Sequence, residues 1–327
     1  MSYSNSTRSK ATQILAERRR KAQRLQQAHH LTATEKLPEI AAYEAQLAET
    51  GLAVVKALSM GKDGESYIAQ LSQMNQTVQS CIRELLVKGG FPADYLETPY
   101  TCKRCEDTGF VGGFACDCRK TLLAELSRQA LESVAPSAHC TFDTFSLDYY
   151  PLPVDAQLGV SPRKRMAEIL DYCRSYAEDF GPDSESLYMH GATGLGKTHL
   201  SLAIANTVTA QGYSVIYDSA QNLLSALERE KFGGGSGERA QELLDCDLLI
   251  IDDLGSEFST SFTVAAVYNL INTRINRQKP VIISTNLTET ELEAKYSQRI
   301  TSRIIGSYVS LLFLGKDIRQ IKKYDEA

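Results

Sequence analysis

Two groups of residues in this sequence have the types and spacing to do chemistry, and they point to different kinds. Gly191, Ala192, Thr193, Gly194, Leu195, Gly196, Lys197 and Thr198 read GATGLGKT, a complete GxxxxGK[ST]. Glycines at these positions let backbone amides turn inward around phosphate oxygens, and a helix starting near Gly196 adds the positive end of its dipole. Lys197 would neutralise the β and γ phosphates of a triphosphate such as ATP, and Thr198 would set its hydroxyl on Mg²⁺. Farther along, LLIIDDLG carries Asp252 and Asp253 at the carboxyl end of an apolar run. Such a strand delivers its last residues to the edge where open α/β sheets bind ligands. Asp252 would hold Mg²⁺, usually through water, and Asp253 would orient and polarise an attacking water. A chance match and a solvated strand end are the bland alternatives, and an apolar strand before GATGLGKT with a helix after it argues against them.

The second group is a crowd of thiols. Cys102 and Cys105 form CxxC, Cys116 and Cys118 form CxC, and Gly109, Gly112 and Gly113 lie between. Four thiolates can close a tetrahedron around Zn²⁺, and the glycines permit the turns of a knuckle. With every position filled by protein the metal would be structural, and it would stabilise the segment by ~10–16 kcal/mol at most. The CxC half is tighter than usual, so a redox or uncommitted cluster is the alternative. The other cysteines, Cys81, Cys140, Cys173 and Cys246, are expected to pack as small apolar residues.

Three further polar positions take meaning from the first group. Asn286 ends the apolar run VIISTN, and would emerge beside a γ-phosphate if that strand lies between the first and third strands of a parallel sheet. Arg299 and Arg303, in SQRITSRI, are one helical turn apart on one face. Arg319 follows the last expected strand in GKDIRQIKK.

Positioning these residues takes alternating helices and short apolar strands. From Arg163 onward the pattern predicts strands at Ser186–His190, Ser214–Tyr217, Leu248–Ile251, Val281–Ser284 and Tyr308–Phe313, the mark of a parallel α/β sheet. The runs LLII and VII are apolar on both faces, as strands covered by helices on each side must be. The helix after GATGLGKT is expected to be amphipathic, and GGGSG at 233–237 a loop.

The N-terminal part reads differently. Residues 11–31 are helix formers with the basic run Arg18, Arg19, Arg20, Lys21 and Arg24, either a solvated face or a partner surface. Ile40, Leu47 and Val54 recur at helical spacing, as do Leu71, Met74, Val78, Ile82 and Leu85 up to Gly89 and Gly90, so two further helices are expected, a hairpin being one arrangement open to them. Pro151, Pro153 and Pro162 mark a boundary. The expected organisation is a helical region over 1–98, a zinc-binding module over 99–120, a connecting helix and linker over 121–162, and the α/β domain over 163–327.

A chain of 327 residues with 43% hydrophobic and 23% charged residues can bury a full core, and it lacks the ~20-residue apolar run of a membrane span. Its polar start carries no secretory signal, so a cytoplasmic protein with reduced thiols is expected. A net charge of −5 argues against a chain coated with DNA-binding charge and leaves local basic patches open.

Taken in order, GATGLGKT, LLIIDDLG, VIISTN, RITSRI and GKDIR resemble the motif series of AAA+ P-loop ATPases, and most of all the DnaC/DnaI helicase loaders with their IstB transposition relatives. CKRCEDTGFVGGFACDC and FDTFSLDYY extend the likeness. The resemblance implies a sensor 1 role for Asn286, and a sensor 2 role for Arg319 in its own chain. It implies an arginine finger acting on a neighbouring subunit at Arg303, with Arg299 as the substitute and a surface ion pair as the alternative. It also implies ATP and Mg²⁺ as cofactors, a replicative hexameric DNA helicase gripped by the N-terminal region, single-stranded DNA bound by the ATPase domain, and nucleotide-dependent self-assembly. Asp253 stands where many AAA+ enzymes carry Glu, which implies slow hydrolysis. Arg229 and Lys231 lie where initiator-like relatives contact DNA. The remaining readings are a transposition helper binding duplex DNA and a nucleotide-gated adaptor that hardly hydrolyses. The chain ends soon after Arg319, and the separate helical lid of many AAA+ proteins is not expected.

Overall fold

A computed structural model describes residues 3, 5–58, 62–134, 139–154 and 159–325. In chain order the elements are α1 (Asn5–Lys36), α2 (Glu39–Leu58), α3 (Lys62–Lys88), β1 (Phe110–Val111), β2 (Phe114–Ala115), α4 (Asp117–Val134), α5 (Pro162–Glu178), β3 (Ser186–His190), α6 (Lys197–Ala210), β4 (Val215–Ser219), α7 (Ala220–Phe232), α8 (Glu238–Asp245), β5 (Leu248–Asp252), α9 (Ser261–Asn276), β6 (Val281–Thr285), α10 (Glu289–Tyr296), α11 (Gln298–Ser307), β7 (Tyr308–Leu312) and α12 (Ile318–Asp325). The chain divides into two compact units, one of residues 12–119 and one of residues 1–11 with 120–327. Among the described residues no helix is long and apolar enough to cross a membrane.

The larger unit is built on a five-stranded parallel sheet in the order β4-β5-β6-β3-β7. Every residue of β5 and β6 is buried, as the two-sided apolar runs require. One core layer gathers Met166, Ile169, Cys173, Leu200, Ile204 and Val208 against one face. The other gathers Leu223, Leu243, Cys246, Val267, Ile271, Leu292 and Ile304.

Local signals set the helix starts. Pro162 opens α5 at its first turn, where a missing N–H costs nothing. Thr260 and Thr288 cap α9 and α10 through reciprocal capping boxes with Thr263 and Glu291. Expectation and structure differ at α6, which is buried on most sides through Leu200, Ser201, Leu202, Ala203, Ile204 and Ala205. It packs on α5 as well as on the sheet, so that only Ala210 is exposed. In the stretch expected as connecting helix and linker, Leu131, Phe142, Phe145 and Tyr150 are members of the first core layer, and the larger unit takes in the chain from residue 120 onward.

In the smaller unit α2 packs along α3, and Ala33, Ile40, Ile82 and Leu86 form its buried centre with Leu37, Tyr43, Leu47 and Val78 around them. Val54, part of the expected apolar series, lies outside the residues whose side chains are described. The two-stranded antiparallel sheet β1-β2 spans the glycines between the cysteine pairs.

Arg274 deserves a separate account because it is fully buried, at 0% exposure. Its guanidinium donates to the carbonyls of Leu243 (2.7 Å), Cys246 (3.1 Å) and Pro280 (2.8 Å). One cation thereby caps the end of α8 and the entrance to β6, groups that would otherwise be buried without partners. Arg274→Met leaves those carbonyls unsatisfied and should destabilise the larger unit by about 1–3 kcal/mol, read as a lower denaturant midpoint at unchanged m-value.

Candidate functional site

The carboxyl ends of β3, β5 and β6 meet at one rim, and a cavity of about 660 Å³ opens there. GATGLGKT forms the turn between β3 and α6. Gly194 has φ 73, and a Cβ at this position would lie 1.9 Å from Asp317 Oδ1, so only glycine fits. Gly196, at φ 89, begins α6, and a Cβ there would strike the Phe145 ring at 2.6 Å. The Tyr150 hydroxyl donates to Leu195 O at 2.8 Å, and Ile318 N donates to Gly194 O at 3.0 Å. The turn is therefore held from both sides.

The sequence-derived polar residues converge on this rim. The Lys197 ammonium donates to Gly191 O and Ala192 O at 2.6 Å each and to Asn286 Oδ1 at 2.8 Å. Asn286 Nδ2 in turn donates to Asp253 Oδ1 at 2.6 Å. Strand β6 does lie between β3 and β5, the condition set for Asn286. The Thr198 hydroxyl donates to Asp252 Oδ2 at 3.0 Å. Thr198 and Asp252 thus present a hydroxyl and a carboxylate side by side toward the cavity, a donor set of hard oxygens that fits Mg²⁺. Arg319 is exposed and lines the same cavity.

Arg299 and Arg303 stand apart from that cavity. The Arg303 guanidinium lies over the Tyr268 ring, 5.6 Å from its centroid. Arg299 is exposed and lines a second cavity with Ser259, Thr260 and Tyr268.

Several residues at the rim were not found by sequence reasoning. The Tyr217 hydroxyl donates to Asp252 Oδ2 at 2.7 Å and Ser284 Oγ to Asp252 Oδ1 at 2.5 Å. Burial and the neighbouring Asp252 raise the Tyr217 phenol well above its ordinary range, so it remains a donor. Thr144, Phe145 and Tyr149 also line the cavity, as do Ile318 and Lys322, and the Lys322 ammonium lies over the Tyr149 ring, 5.1 Å from its centroid. Ser284 is a polar residue near a strand end, a visible signal; Tyr217, in the middle of β4, and the aromatic segment gave none specific to this role.

In the smaller unit the four thiols of Cys102, Cys105, Cys116 and Cys118 lie within 4.8 Å of one another. Sγ of Cys102 is 3.8 Å from that of Cys116, and Sγ of Cys105 is 3.4 Å from that of Cys118. A tetrahedron of Zn–S bonds near 2.3 Å has edges of about 3.8 Å, so the cluster fits that ion. The buried Asp107 accepts from Thr101 N and Cys102 N at 2.9 Å each, and Gly109 N points at Cys105 Sγ. These bonds fix the first turn of the knuckle.

A parallel sheet in this order, with a glycine turn and paired acids at its carboxyl rim, defines an AAA+ type P-loop ATPase domain. Residues 170–305 match the family described as IstB-like ATP binding protein. The replicative helicase loader DnaC of Escherichia coli K12 is 26% identical over 147 residues, 44% of this chain and 60% of that protein. DnaC of Buchnera aphidicola subsp. Acyrthosiphon pisum is 24% identical over 193 residues, 58% of this chain and 72% of that protein. A crystal structure of the DnaC helicase loader superposes with a TM-score of 0.48 at 21% identity, covering 55% of this chain and all of that one. The matched stretch, residues 170–305, lies within the larger unit, and the match to DnaC spans about 60% of the Escherichia coli protein.

Burial lowers the Lys197 pKa to about 8, against the opposing pull of Asp253 and Asp252. A polyphosphate needs the ammonium, so raising the pH from about 7 to 9 takes away the attracting charge. Nucleotide affinity should fall across that range in titrations with a fluorescent ATP analogue, and Lys197→Met should make the remaining weak binding insensitive to pH.

Proposed function

We propose that this protein is an ATP-hydrolysing loader that delivers a replicative hexameric DNA helicase onto DNA in the cytoplasm. The observation that carries the reading is the hydrogen-bonded chain Lys197–Asn286–Asp253 beside the Thr198–Asp252 pair. It sets a cation, a water-orienting amide and two acids around the place a γ-phosphate would occupy. The likeness to DnaC supports the choice of partner.

In this reading the amides of residues 191–196 and the Lys197 ammonium bind the β and γ phosphates. Thr198 and Asp252 would hold Mg²⁺, which would supply positive charge to offset the charge developing on the phosphates. Asp253, kept in place by Asn286, orients the attacking water. Arg319 contacts nucleotide from its own chain. Arg303 acts across a subunit boundary, with Arg299 as its substitute; its distance from the home cavity supports that role and makes hydrolysis depend on self-assembly, by about 10³–10⁵ in rate. The helical region grips the helicase, the cysteine cluster holds a structural Zn²⁺ that shapes the adjoining segment, and the ATPase domain contacts single-stranded DNA. The family name IstB-like favours a second reading, a transposition helper that binds duplex DNA and a transposase.

Lys197→Ala should leave at most weak nucleotide binding and abolish turnover, whereas Arg303→Ala should keep binding and lose the turnover that depends on assembly; full turnover in the arginine variant removes Arg303 from the site. Co-purification with replicative helicases should succeed with the intact chain and fail with one starting at Lys120. Equal capture by the truncated chain would contradict the N-terminal grip, and capture of a transposase in place of a helicase would favour the second reading. Metal analysis of the purified protein should find one Zn²⁺ per chain, lost in Cys105→Ser with cooperative unfolding of the ATPase unit retained.

A further inference from the structure

Directly behind Asp253 lies a buried ionic cluster that the scheme above does not use. Asp253 has φ 56, a left-handed conformation uncommon outside glycine that Asp tolerates better than most residues. Asp253 N donates to Ser284 Oγ at 2.8 Å and Leu254 N to Ser284 O at 2.8 Å. Those two bonds tie the start of the turn to β6. Its far side is closed by Glu257, only 4% exposed, whose carboxylate accepts from Gly255 N at 2.9 Å and from the Tyr296 hydroxyl. Lys295 lies 3.3 Å from the same carboxylate and donates to Gly255 O and Glu257 O at 2.6 Å each.

A buried ion pair is weak evidence for stability, because desolvation offsets most of the attraction. Tight-packed apolar side chains would fill the space at least as well. What the charged cluster supplies is direction: the carboxylate and the ammonium between them fasten three backbone groups of one short turn, which apolar groups cannot do. Tyr296, 1% exposed, is anchored at the end of α10, and burial with the adjoining Glu257 keeps its phenol protonated and donating.

Resting on the ATPase reading, we propose that Glu257, Lys295 and Tyr296 form a clamp that positions Asp253. By closing the turn from Asp253 to Glu257 on the end of α10, the clamp fixes the backbone conformation that aims the Asp253 carboxylate at Asn286 and the attacking water. None of the three touches nucleotide; among the described residues lining the P-loop cavity they are absent. They act through Asp253 alone, so the clamp governs turnover and not nucleotide affinity.

The test uses the full chain with Tyr296→Phe and Glu257→Gln, two substitutions that keep shape. Nucleotide affinity should stay within about twofold of the parent while kcat falls. A fall of roughly ten- to a hundredfold is expected, the size of effect that a small misplacement of a reacting group produces. Leu243→Ala, which empties a fully buried site in the same core layer, serves as the stability control and should keep the parent kcat below its unfolding transition. Unchanged kcat in both clamp variants against an active parent overturns the clamp and leaves the ATPase reading intact. So does a loss shared equally by kcat and affinity, or matched by the Leu243 control. No turnover in the parent overturns both.

Discussion

The carboxylate of Asp252 is the constraint from which the rest of the site follows. At 7% exposure its oxygens need donors in place of water, and they receive three: the hydroxyls of Thr198, Tyr217 and Ser284. These come from α6, β4 and β6, so the acid is satisfied only when the glycine turn and both neighbours of β5 are in place. Sheet order is thereby linked to chemistry. Any pairing that moved β4 or β6 away from β5 would strand a buried charge, at a cost of several kcal/mol.

Beside this fixed acid stands one whose backbone is strained. Asp252 ends a strand and lies among ordinary extended residues, whereas Asp253 is left-handed and half-buried at the rim. The division matches the work proposed for each. A metal-holding acid has to be rigid and partly shielded, and a water-orienting acid has to project past the strand end toward the γ-phosphate position. The turn that lifts Asp253 out of the strand is also the one fastened by Glu257 and Lys295.

Much of this was legible in the sequence because it is encoded locally. GATGLGKT, the paired acids and the Asn after VIIST declare themselves within a few residues, and the five apolar runs fall on the five parallel strands within one or two residues. What could not be read depends on contacts between distant segments. Tyr217 becomes a partner of Asp252 only because β4 pairs with β5. Phe145 and Tyr150 looked like part of a linker, since nothing in FDTFSLDYY says which surface it covers; they pack on the glycine turn, where Gly196 leaves room for a ring. Likewise the polar residues of α6, among them Ser201 and Thr209, do not form a solvent face, and its burial was visible only once α5 and the sheet enclosed it.

The two units meet the cost of folding by different physics. The ATPase unit has two apolar layers on its sheet, each with many fully buried side chains, and burial on that scale supplies stability without help. The smaller unit has a short list of buried apolar residues in its helices, and its knuckle buries little beyond Cys105, Cys116 and Asp107. Phe110 and Phe114 of the hairpin remain 48% and 82% exposed, so they contribute no core there. A segment of this kind cannot offset its loss of chain entropy by burial. Four thiols within 4.8 Å of one another would offer a substitute if they bind a metal as proposed, and the Asp107 carboxylate already holds the turn that carries the first pair.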